Sequence, residues 1–451
     1  MSRRSRKKLP PHPVELAIED LSHDGRGVAT HEGKKVFVRG ALPGERVMAR
    51  MIGRKRRYDE AETMTVLQAS ADRREPRCPH FGQCGGCSLQ HLDAAKQIEA
   101  KQNTLVQNLA RIGKVEPAEL WPPLTADPWG YRRKARLSVR YVAAKERVLV
   151  GFRETYARFV ADIAECHVLD PRIADQLPAL SELIHGMEAR QSIPQIEVAC
   201  GDRACALVFR HLEPLSAGDR EKLADYARGS GIAVMLQPAG PDSIVALEPD
   251  SPALSFGLPE FDLDLAFGPS DFIQVNARMN RSMVQRALEL LAPGPGDRVL
   301  DLFCGLGNFT LPIARRAGQC VGVEGDAALV AKARENAARN GVSNVEFFAA
   351  DLAVEGATEP GGGLSGAPWL QGAYDSALVD PPRSGAEFIL PALASSGARR
   401  IVYVSCHPAS LARDAGLLVH QHGYRLVGAG VMDMFPHTGH VESIALFERE
   451  A

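Results

Sequence analysis

The chain has 451 residues, a formal net charge of −2, 45% apolar residues and 24% charged residues. This composition is typical of a soluble globular protein with two to three domains. No run of about 18 apolar residues occurs, and no apolar stretch follows the basic run at residues 2–8. We therefore expect no membrane span and no signal peptide, and we predict a cytoplasmic protein.

The charge is unevenly distributed along the chain. Residues 1–77 contain 18 Lys and Arg against 11 Asp and Glu, a balance of +7, whereas the rest of the chain has a balance of −9. A basic front module joined to an acidic body is expected when one module binds phosphate groups. The alternative is a solvated tail with ordinary surface charge.

The first predicted elements are short strands within residues 14–68, where apolar and polar residues alternate between frequent turns. This spacing predicts a small closed barrel of the OB type. Such barrels bind single-stranded nucleic acid on a basic face that carries aromatic residues. The run Arg54-Lys-Arg-Arg-Tyr58 offers both kinds of side chain, although a charge run is also common in a solvated loop.

A cluster of three cysteines follows the predicted barrel. Cys78, Cys84 and Cys87 give the spacing C-x5-C-x2-C, with glycines that permit tight turns around thiolates. A fourth ligand has to come from elsewhere, and Cys166 is the best candidate. Four thiolates suit either Zn²⁺ or a [4Fe–4S] cluster, but the spacing differs from the paired C-x2-C of zinc sites.

The remaining cysteines of the middle region and the C-terminal region have strand-like surroundings. Nine cysteines without an export signal favour thiolates over disulfides. We therefore interpret four of them as small core residues: Cys200, Cys205, Cys304 and Cys320. The middle region mixes predicted strands at 135–142 and 204–209 with helices near 94–109, 171–190 and 216–230, an α+β pattern.

From about residue 268 the pattern is regular α/β. A helix is predicted at 277–292, and strands that alternate with helices indicate a parallel sheet with crossovers. The predicted strands are 298–303, 320–324, 345–349, 376–379 and 400–405. The Gly- and Pro-rich stretch 356–372 is predicted to be an expanded loop. Three domains result: a barrel at 12–71, a central domain at 72–267 and an α/β domain at 268–451.

The first of these parallel strands continues into a glycine loop, Asp301-Leu-Phe-Cys-Gly-Leu-Gly-Asn-Phe309. Thr310 stands where a dinucleotide-binding loop has its third glycine, which weakens the NAD interpretation. Glu324 ends the next strand and is placed to accept hydrogen bonds from ribose hydroxyls. Asp351 follows the third strand and could accept from an adenine amine. This pattern favours S-adenosylmethionine over a dinucleotide.

Two further strands end in side chains suited to nucleophilic chemistry. Asp380 begins Asp-Pro-Pro-Arg-Ser-Gly385, and Cys406 lies in Ser-Cys-His-Pro408. Methylation of a uracil at C5 requires a thiolate that adds to C6 and a base that removes the C5 proton. Cys406 and Glu442 fit these two roles. Taken alone, Cys406 is more typical of a buried core thiol.

The C-terminal region resembles the RNA uracil-5-methyltransferase family. The matching motifs are Phe272-Ile-Gln-Val-Asn276, the glycine loop, Asp380–Gly385, Val404–Pro408 and His440-Val-Glu-Ser443. The resemblance implies a Rossmann-like S-adenosylmethionine-dependent domain in which Cys406 is the nucleophile and Glu442 the base. It also implies six residues that contact or border S-adenosylmethionine: Gln274, Phe303, Asn308, Glu324, Asp351 and Asp380.

The resemblance extends to the front of the chain. The barrel resembles a TRAM domain, and the cysteine spacing with the distant Cys166 resembles the members that carry a [4Fe–4S] cluster. This combination implies a monomeric enzyme that acts on 23S ribosomal RNA. Two alternatives stay open: a transfer-RNA uracil-5-methyltransferase, and a non-catalytic RNA-binding or ribosome-assembly factor.

Overall fold

A computed structural model describes residues 9–10, 12–155, 157–355, 363–364 and 366–449. The basic run at 2–8, and residues 356–362 and 365 of the predicted 356–372 loop, lie outside the described residues. The chain forms two compact units. The first is the described part of Met1–Asn103 together with His437–His440, and the second is Thr104–Pro436 with the described part of Val441–Ala451. The division into three domains stays a prediction from the sequence.

The first unit contains a closed five-stranded barrel, with strand order β1-β2-β3-β5-β4. Alternate residues face its interior, as in β4, where Val47, Ala49 and Met51 are buried between partly exposed neighbours. This period-2 burial is what an apolar-polar alternation produces in a strand. The barrel predicted from the sequence is therefore confirmed. Its strands are β1 Val14–Leu21, β2 Gly27–His31, β3 Lys34–Arg39, β4 Arg46–Arg54 and β5 Tyr58–Gln68.

The second unit contains a six-stranded sheet, order β12-β11-β10-β9-β7-β8, and a separate hairpin, β13-β14. The sheet packs against helices over one apolar core. Its strands are β7 Lys134–Val142, β8 Arg147–Gly151, β9 Gln195–Cys200, β10 Cys205–Arg210, β11 Ala233–Gln237 and β12 Val245–Ala246. The hairpin strands are β13 Leu254–Leu258 and β14 Leu263–Phe267.

The same unit contains an eight-stranded sheet, order β17-β16-β15-β18-β19-β21-β20-β6. The five strands predicted from the sequence are its parallel part; β21 extends it antiparallel to β19, and β20 lies antiparallel to β21. The strands are β6 Glu119–Leu120, β15 Arg298–Leu302, β16 Gln319–Glu324, β17 Val345–Ala349, β18 Ser376–Val379, β19 Arg400–Ser405, β20 Arg425–Met432 and β21 Glu442–Glu448.

Most of the described α-helices bury one face, whereas all five residues of α6 are buried. The predicted helix at 277–292 is confirmed as α5, which begins at the N-cap Asn276, whose side chain accepts a hydrogen bond from the Met279 amide. The helices are α1 Ala94–Asn108, α2 Pro171–Ala174, α3 Leu177–His185, α4 Ala217–Ser230, α5 Ala277–Leu291, α6 Thr310–Ala314, α7 Ala327–Arg339, α8 Leu390–Ser395 and α9 Pro408–His420. Within the described chain, no helix combines the length and apolarity needed to cross a membrane.

One expectation about the cysteines is wrong. Cys200 and Cys205 are buried, as predicted, but they form a disulfide. They lie directly opposite each other on the antiparallel strands β9 and β10, with 4.1 Å between their Cα atoms. The tight hairpin of β9 and β10 brings these two thiols together, and this proximity does not follow from the redox compartment on which the expectation rested. Cys304 and Cys320 are buried core residues, as expected.

Candidate active site

Cys406 and Glu442 come together through the register of two antiparallel strands. Cys406 directly follows β19, and Glu442 is the first residue of β21. Ser405 pairs with Ser443, and the Ser443 hydroxyl donates a hydrogen bond to the Ser405 carbonyl at 3.3 Å. Cys406 and Glu442 therefore occupy the next opposed positions at the carboxyl edge of the sheet. The sequence predicted that Cys406 and Glu442 face the same uracil ring, and the register of β19 and β21 places the two residues opposite each other.

The surroundings of Cys406 disfavour its thiolate in the free protein. Burial, followed by the negative charges of Glu442 and Asp380, raises the pKa of the Cys406 thiol to about 11, and Arg383 acts in the opposite direction. Glu442 itself is buried, with 6% of its surface exposed. The thiol, the two carboxylates and the guanidinium therefore interact electrostatically within one site.

The glycine loop after β15 adopts backbone conformations that the sequence pattern anticipated. Gly305 and Gly307 have φ of +55° and +96°, and Phe303 has φ of +65°, which is uncommon for a residue other than glycine. The Phe303 amide donates to the Val323 carbonyl at 2.8 Å, which holds this turn against β16. Strained backbone of this kind is concentrated at ligand sites. The loop thus leaves its backbone open to a ligand at the carboxyl edge.

Glu324, at the end of β16, is oriented by the same loop. Its carboxylate accepts hydrogen bonds from the Gly305 amide at 3.0 Å and the Asp326 amide at 3.1 Å. These bonds hold the carboxylate beside the glycine loop. A fixed acceptor at this position of an α/β sheet is suited to ribose hydroxyls.

Asp301 is a member of the site that the sequence analysis did not assign a role. It is completely buried in β15, and one carboxylate oxygen accepts from the Thr310 hydroxyl at 2.5 Å. The other oxygen, Oδ1, has no hydrogen-bond partner among the described residues. Burial, together with the charges of Asp380 and Glu324, raises the Asp301 pKa to about 8. A lone carboxylate inside an apolar strand is the signal that could have identified it.

Asp380 interacts electrostatically with Glu324. Burial, and then the Glu324 charge, raises the pKa of Asp380 to about 7. Three acidic side chains, Asp301, Glu324 and Asp380, therefore crowd one edge of the sheet. Such a group gains stability when a cation neutralises it, so the arrangement suits a ligand that carries an ammonium or sulfonium charge.

The other predicted cofactor-binding residues have different surroundings. Asn308 exchanges two hydrogen bonds with the buried Asn280 of α5, both at 2.9 Å, which fixes its amide. The Gln274 carbonyl accepts from the Arg133 guanidinium at 3.2 Å. Asp351 is exposed beyond β17, where it accepts from the Ala353 amide at 3.0 Å. Asp351 thus lies at the carboxyl edge of the sheet, where its hydrogen bond is to Ala353 and not to the carboxylates of Asp301, Glu324 and Asp380.

Helix α9 fixes the loop that carries Asp380 and Arg383. Asp414 is fully buried, and its Oδ2 accepts from the Tyr403 hydroxyl at 2.6 Å and from the Ala386 amide at 2.7 Å. The Ser410 hydroxyl donates to the Arg383 carbonyl at 3.0 Å. Gly385 turns the loop with φ of +83°. These contacts, which were not predicted from the sequence, anchor the loop to β19, the strand that Cys406 directly follows.

The predicted cysteine cluster of the first unit has one feature of a thiolate site. Cys78, Cys84 and Cys87 are half-buried. The Gly86 amide donates to the Cys84 sulfur at 3.4 Å, and amide donors of this kind stabilise metal-bound thiolates. Among the described residues, a group outside this cluster holds possible ligand atoms within 4.8 Å of one another: Asp170, Cys200 and Cys205. That group is unsuited to a metal because both sulfurs are in the disulfide and Asp170 pairs with Arg172.

Comparison with known proteins agrees with this geometry. The family described as tRNA (Uracil-5-)-methyltransferase matches residues 262–450, and the TRAM domain matches residues 13–63. A protein of Xanthomonas axonopodis pv. citri, named 23S rRNA (uracil(1939)-C(5))-methyltransferase RlmD, is 55% identical over 99% of both chains. A protein of the same name from Alkalilimnicola ehrlichii is also 55% identical over 99% of both chains. The chain belongs to the RNA uracil-5-methyltransferase family.

The fold agrees with this membership. The Pyrococcus abyssi tRNA (uracil-54, C5)-methyltransferase, solved with S-adenosyl-L-homocysteine, superposes with a TM-score of 0.72 at 24% identity, covering 96% of this chain and all of that one. Family membership and fold together confirm two predictions from the sequence: the uracil-5-methyltransferase resemblance and the TRAM barrel at the front of the chain.

Proposed function

We propose that this protein transfers a methyl group from S-adenosylmethionine to C5 of a uridine in 23S ribosomal RNA. One observation carries the chemistry: Cys406 and Glu442 lie opposite each other at the carboxyl edge of a methyltransferase sheet and interact electrostatically. The ribosomal substrate is supported by 55% identity over nearly the full length to proteins named for that activity.

Cys406 and Glu442 divide the reaction between them. The Cys406 sulfur adds to C6 of the uracil, and the electron pair of the C5–C6 double bond moves toward C5 and O4. C5 then forms a bond to the methyl group that S-adenosylmethionine supplies when bound; the bond between this methyl group and the sulfonium sulfur would break, and S-adenosylhomocysteine would be the leaving group. Glu442 removes the C5 proton, the C5–C6 double bond re-forms, and the bond between C6 and sulfur breaks.

The high pKa of the Cys406 thiol means that a proton must leave before this addition. Arg383 is the nearby positive charge that lowers the thiol pKa, whereas Glu442 and Asp380 raise it. A cationic ligand beside Asp380 would partly cancel the effect of that carboxylate. We therefore expect a free thiol that is unreactive at neutral pH and becomes nucleophilic in the substrate complex.

Six residues are proposed to hold S-adenosylmethionine: Gln274, Phe303, Asn308, Glu324, Asp351 and Asp380. The residues fit this group because Glu324 and the glycine loop form one bonded unit, and because three crowded carboxylates favour a cation.

A [4Fe–4S] cluster is proposed on Cys78, Cys84, Cys87 and Cys166. The spacing and the amide-to-sulfur bond at Cys84 support thiolate ligation in the first unit. Cys166 belongs to the second unit, and its membership of this ligand set rests on the sequence. We expect about four irons per chain and a brown colour after anaerobic purification, and a loss of iron in Cys84→Ser but not in Cys320→Ala. Colourless protein with one zinc would contradict the proposal.

The test of the proposed function is a methylation assay with labelled S-adenosylmethionine. Unmodified 23S ribosomal RNA and unmodified transfer RNA should be offered in parallel, and 5-methyluridine should be mapped by nuclease digestion and mass spectrometry. We expect incorporation into 23S RNA at a single uridine. Incorporation confined to transfer RNA would contradict the ribosomal substrate, and no incorporation into either would contradict methyl transfer itself.

A further inference from the structure

A cavity of about 550 Å³ lies at the opposite edge of the eight-stranded sheet from Cys406. It is lined at the start of β19 and β20 and at the end of β21 by four arginines and one acid. Six residues of β19 separate the two edges, so the cavity is about 20 Å from Cys406 at ~3.3 Å per residue. The lining residues are Arg399, Arg400, Gly423, Arg425, Glu448 and Arg449.

The charge of this lining is strongly positive. Glu448 accepts from the Arg400 guanidinium at 2.9 and 2.5 Å and forms a weaker pair with Arg425 at 3.6 Å. Throughout the part of the chain that the structure describes, no carboxylate lies within 4.0 Å of the Arg399 or Arg449 guanidinium. Among the described residues of the lining, four guanidinium groups therefore stand against one carboxylate, which pairs with two of them, although the body of the protein is acidic overall.

Two of these arginines are held in place by the fold. The Arg449 guanidinium stacks over the Tyr424 ring, 5.0 Å from its centre, and the buried Tyr424 hydroxyl donates to the Ala398 carbonyl at 2.6 Å. Arg400 is fixed by its double hydrogen bond to Glu448. Fixed, planar guanidinium groups lose little entropy when they bind, and their geometry matches phosphate oxygens.

We propose that this cavity, which we call the arginine cavity, binds phosphodiester groups of the substrate RNA outside the segment that enters the active site. The inference rests on the proposed function, since that function makes RNA the ligand that supplies phosphates. Because of the ~20 Å separation, a short RNA that fills only the carboxyl edge would not reach the arginine cavity. The cavity would therefore strengthen binding of a large folded RNA and leave the chemical step unchanged.

The test compares the wild type with the double variant Arg399→Ala/Arg449→Ala on two RNAs. One is unmodified 23S ribosomal RNA, and the other is a short RNA around the uridine that the wild type methylates. For 23S RNA we expect a KM several-fold higher near 0.1 M salt, an unchanged kcat and a salt-dependence slope lower by about 1.4 to 1.8, at ~0.7–0.9 per lost phosphate contact. For the short RNA we expect no change.

Arg220→Ala provides the matched control, because Arg220 is an exposed arginine of α4 in the same unit. If the double variant and this control give the same slope on 23S RNA, the arginine cavity does not bind RNA, even if it takes up inorganic phosphate. An equal loss on both RNAs would also overturn the inference, since it would indicate damage to the active site. Wild-type protein that methylates no RNA would instead refute the proposed function.

Discussion

The two ends of strand β19 are chemically opposite. At its carboxyl end, Cys406 meets Glu442 and Asp380, and burial of these groups raises the thiol pKa to about 11. At its amino end, Arg400 and Arg425 share Glu448 at a partly exposed surface. Six residues separate these environments. The same strand thus ends in a buried acidic site at one edge of the sheet and an open basic cavity at the other.

This difference shows how one sheet can separate chemistry from binding. Charges that must change protonation state need low-dielectric surroundings, where a neighbouring carboxylate strongly shifts a pKa. Charges that only attract phosphate can stay near water, where they are easily maintained and respond to salt. Substitutions at the carboxyl end should therefore alter the reaction and its pH dependence, and substitutions at the amino end should alter RNA affinity and its salt dependence.

The largest expected effect is loss of the nucleophile. In Cys406→Ala, the methylation rate should fall by at least ~10³-fold, because C5 is not activated without addition at C6. Binding of S-adenosylmethionine, measured by calorimetry, should persist. A variant that methylates at the normal rate would show that another nucleophile acts.

Glu442→Gln should reduce turnover by about 10²- to 10⁴-fold, the usual contribution of a general base. Methyl transfer should still occur, and because the C5 proton stays in place, the cysteine should remain attached to the RNA. Denaturing gel electrophoresis should then show a stable protein–RNA adduct. Slow turnover with no adduct would assign proton removal to a different group.

The parallel strands of the catalytic domain could be predicted from the sequence, but the contacts around Cys406 could not. Buried parallel strands are nearly continuous apolar runs, so β18 and β19 were predicted with their observed bounds. The motifs identified Cys406 and Glu442 as partners. Their opposition depends on the register of β21 against β19, which no local pattern specifies.

The other features that could not be predicted from the sequence depend on contacts between residues on different structural elements. Tyr403 on β19 donates a hydrogen bond to Asp414 on α9, and Cys200 pairs with Cys205 only once the hairpin of β9 and β10 forms. Asp301 belongs to the glycine-loop motif, but its burial and its unpartnered oxygen depend on the packing of the whole sheet. Tertiary packing, and not residue type, decides these features.

The pKa of Cys406 should move in opposite directions in two variants. Glu442→Gln removes a negative charge that raises the thiol pKa, so the pKa should fall below about 11. Arg383→Gln removes the opposing positive charge, so the pKa should rise. The thiolate fraction at pH 9 should therefore increase in the first variant and decrease in the second. The rate of alkylation of Cys406 by iodoacetamide, followed by mass spectrometry from pH 7 to 11, measures this, and equal rates would contradict the electrostatic assignment.

Asp301→Asn should change the pH dependence of stability. The Asp301 pKa is raised from 3.8 to about 8 in the folded protein, so its protonated form stabilises the fold at low pH, and this contribution is lost as the pH rises through 8. Asparagine stays neutral at every pH. The variant should gain about 2–4 °C in Tm at pH 9 relative to the wild type, the shift that roughly 1 kcal/mol produces, and little at pH 4. A gain of equal size at both pH values would show that titration of Asp301 is not the cause.

The smallest expected effect compares two buried tyrosines at opposite ends of the sheet. Tyr403→Phe removes the hydrogen bond to Asp414, and Tyr424→Phe removes the hydrogen bond to the Ala398 carbonyl; both bonds are 2.6 Å long. Each variant should lose about 1 kcal/mol of unfolding free energy, with a larger loss in Tyr403→Phe because its partner is charged. Only Tyr403→Phe should lower kcat, by a few-fold. Asp414, the partner of Tyr403, also accepts a hydrogen bond from the Ala386 amide and so positions the loop that carries Asp380 and Arg383. Urea unfolding and steady-state kinetics on the same RNA separate the two effects. If both variants lower kcat equally, the loss reflects general stability, and Asp414 does not position the catalytic loop.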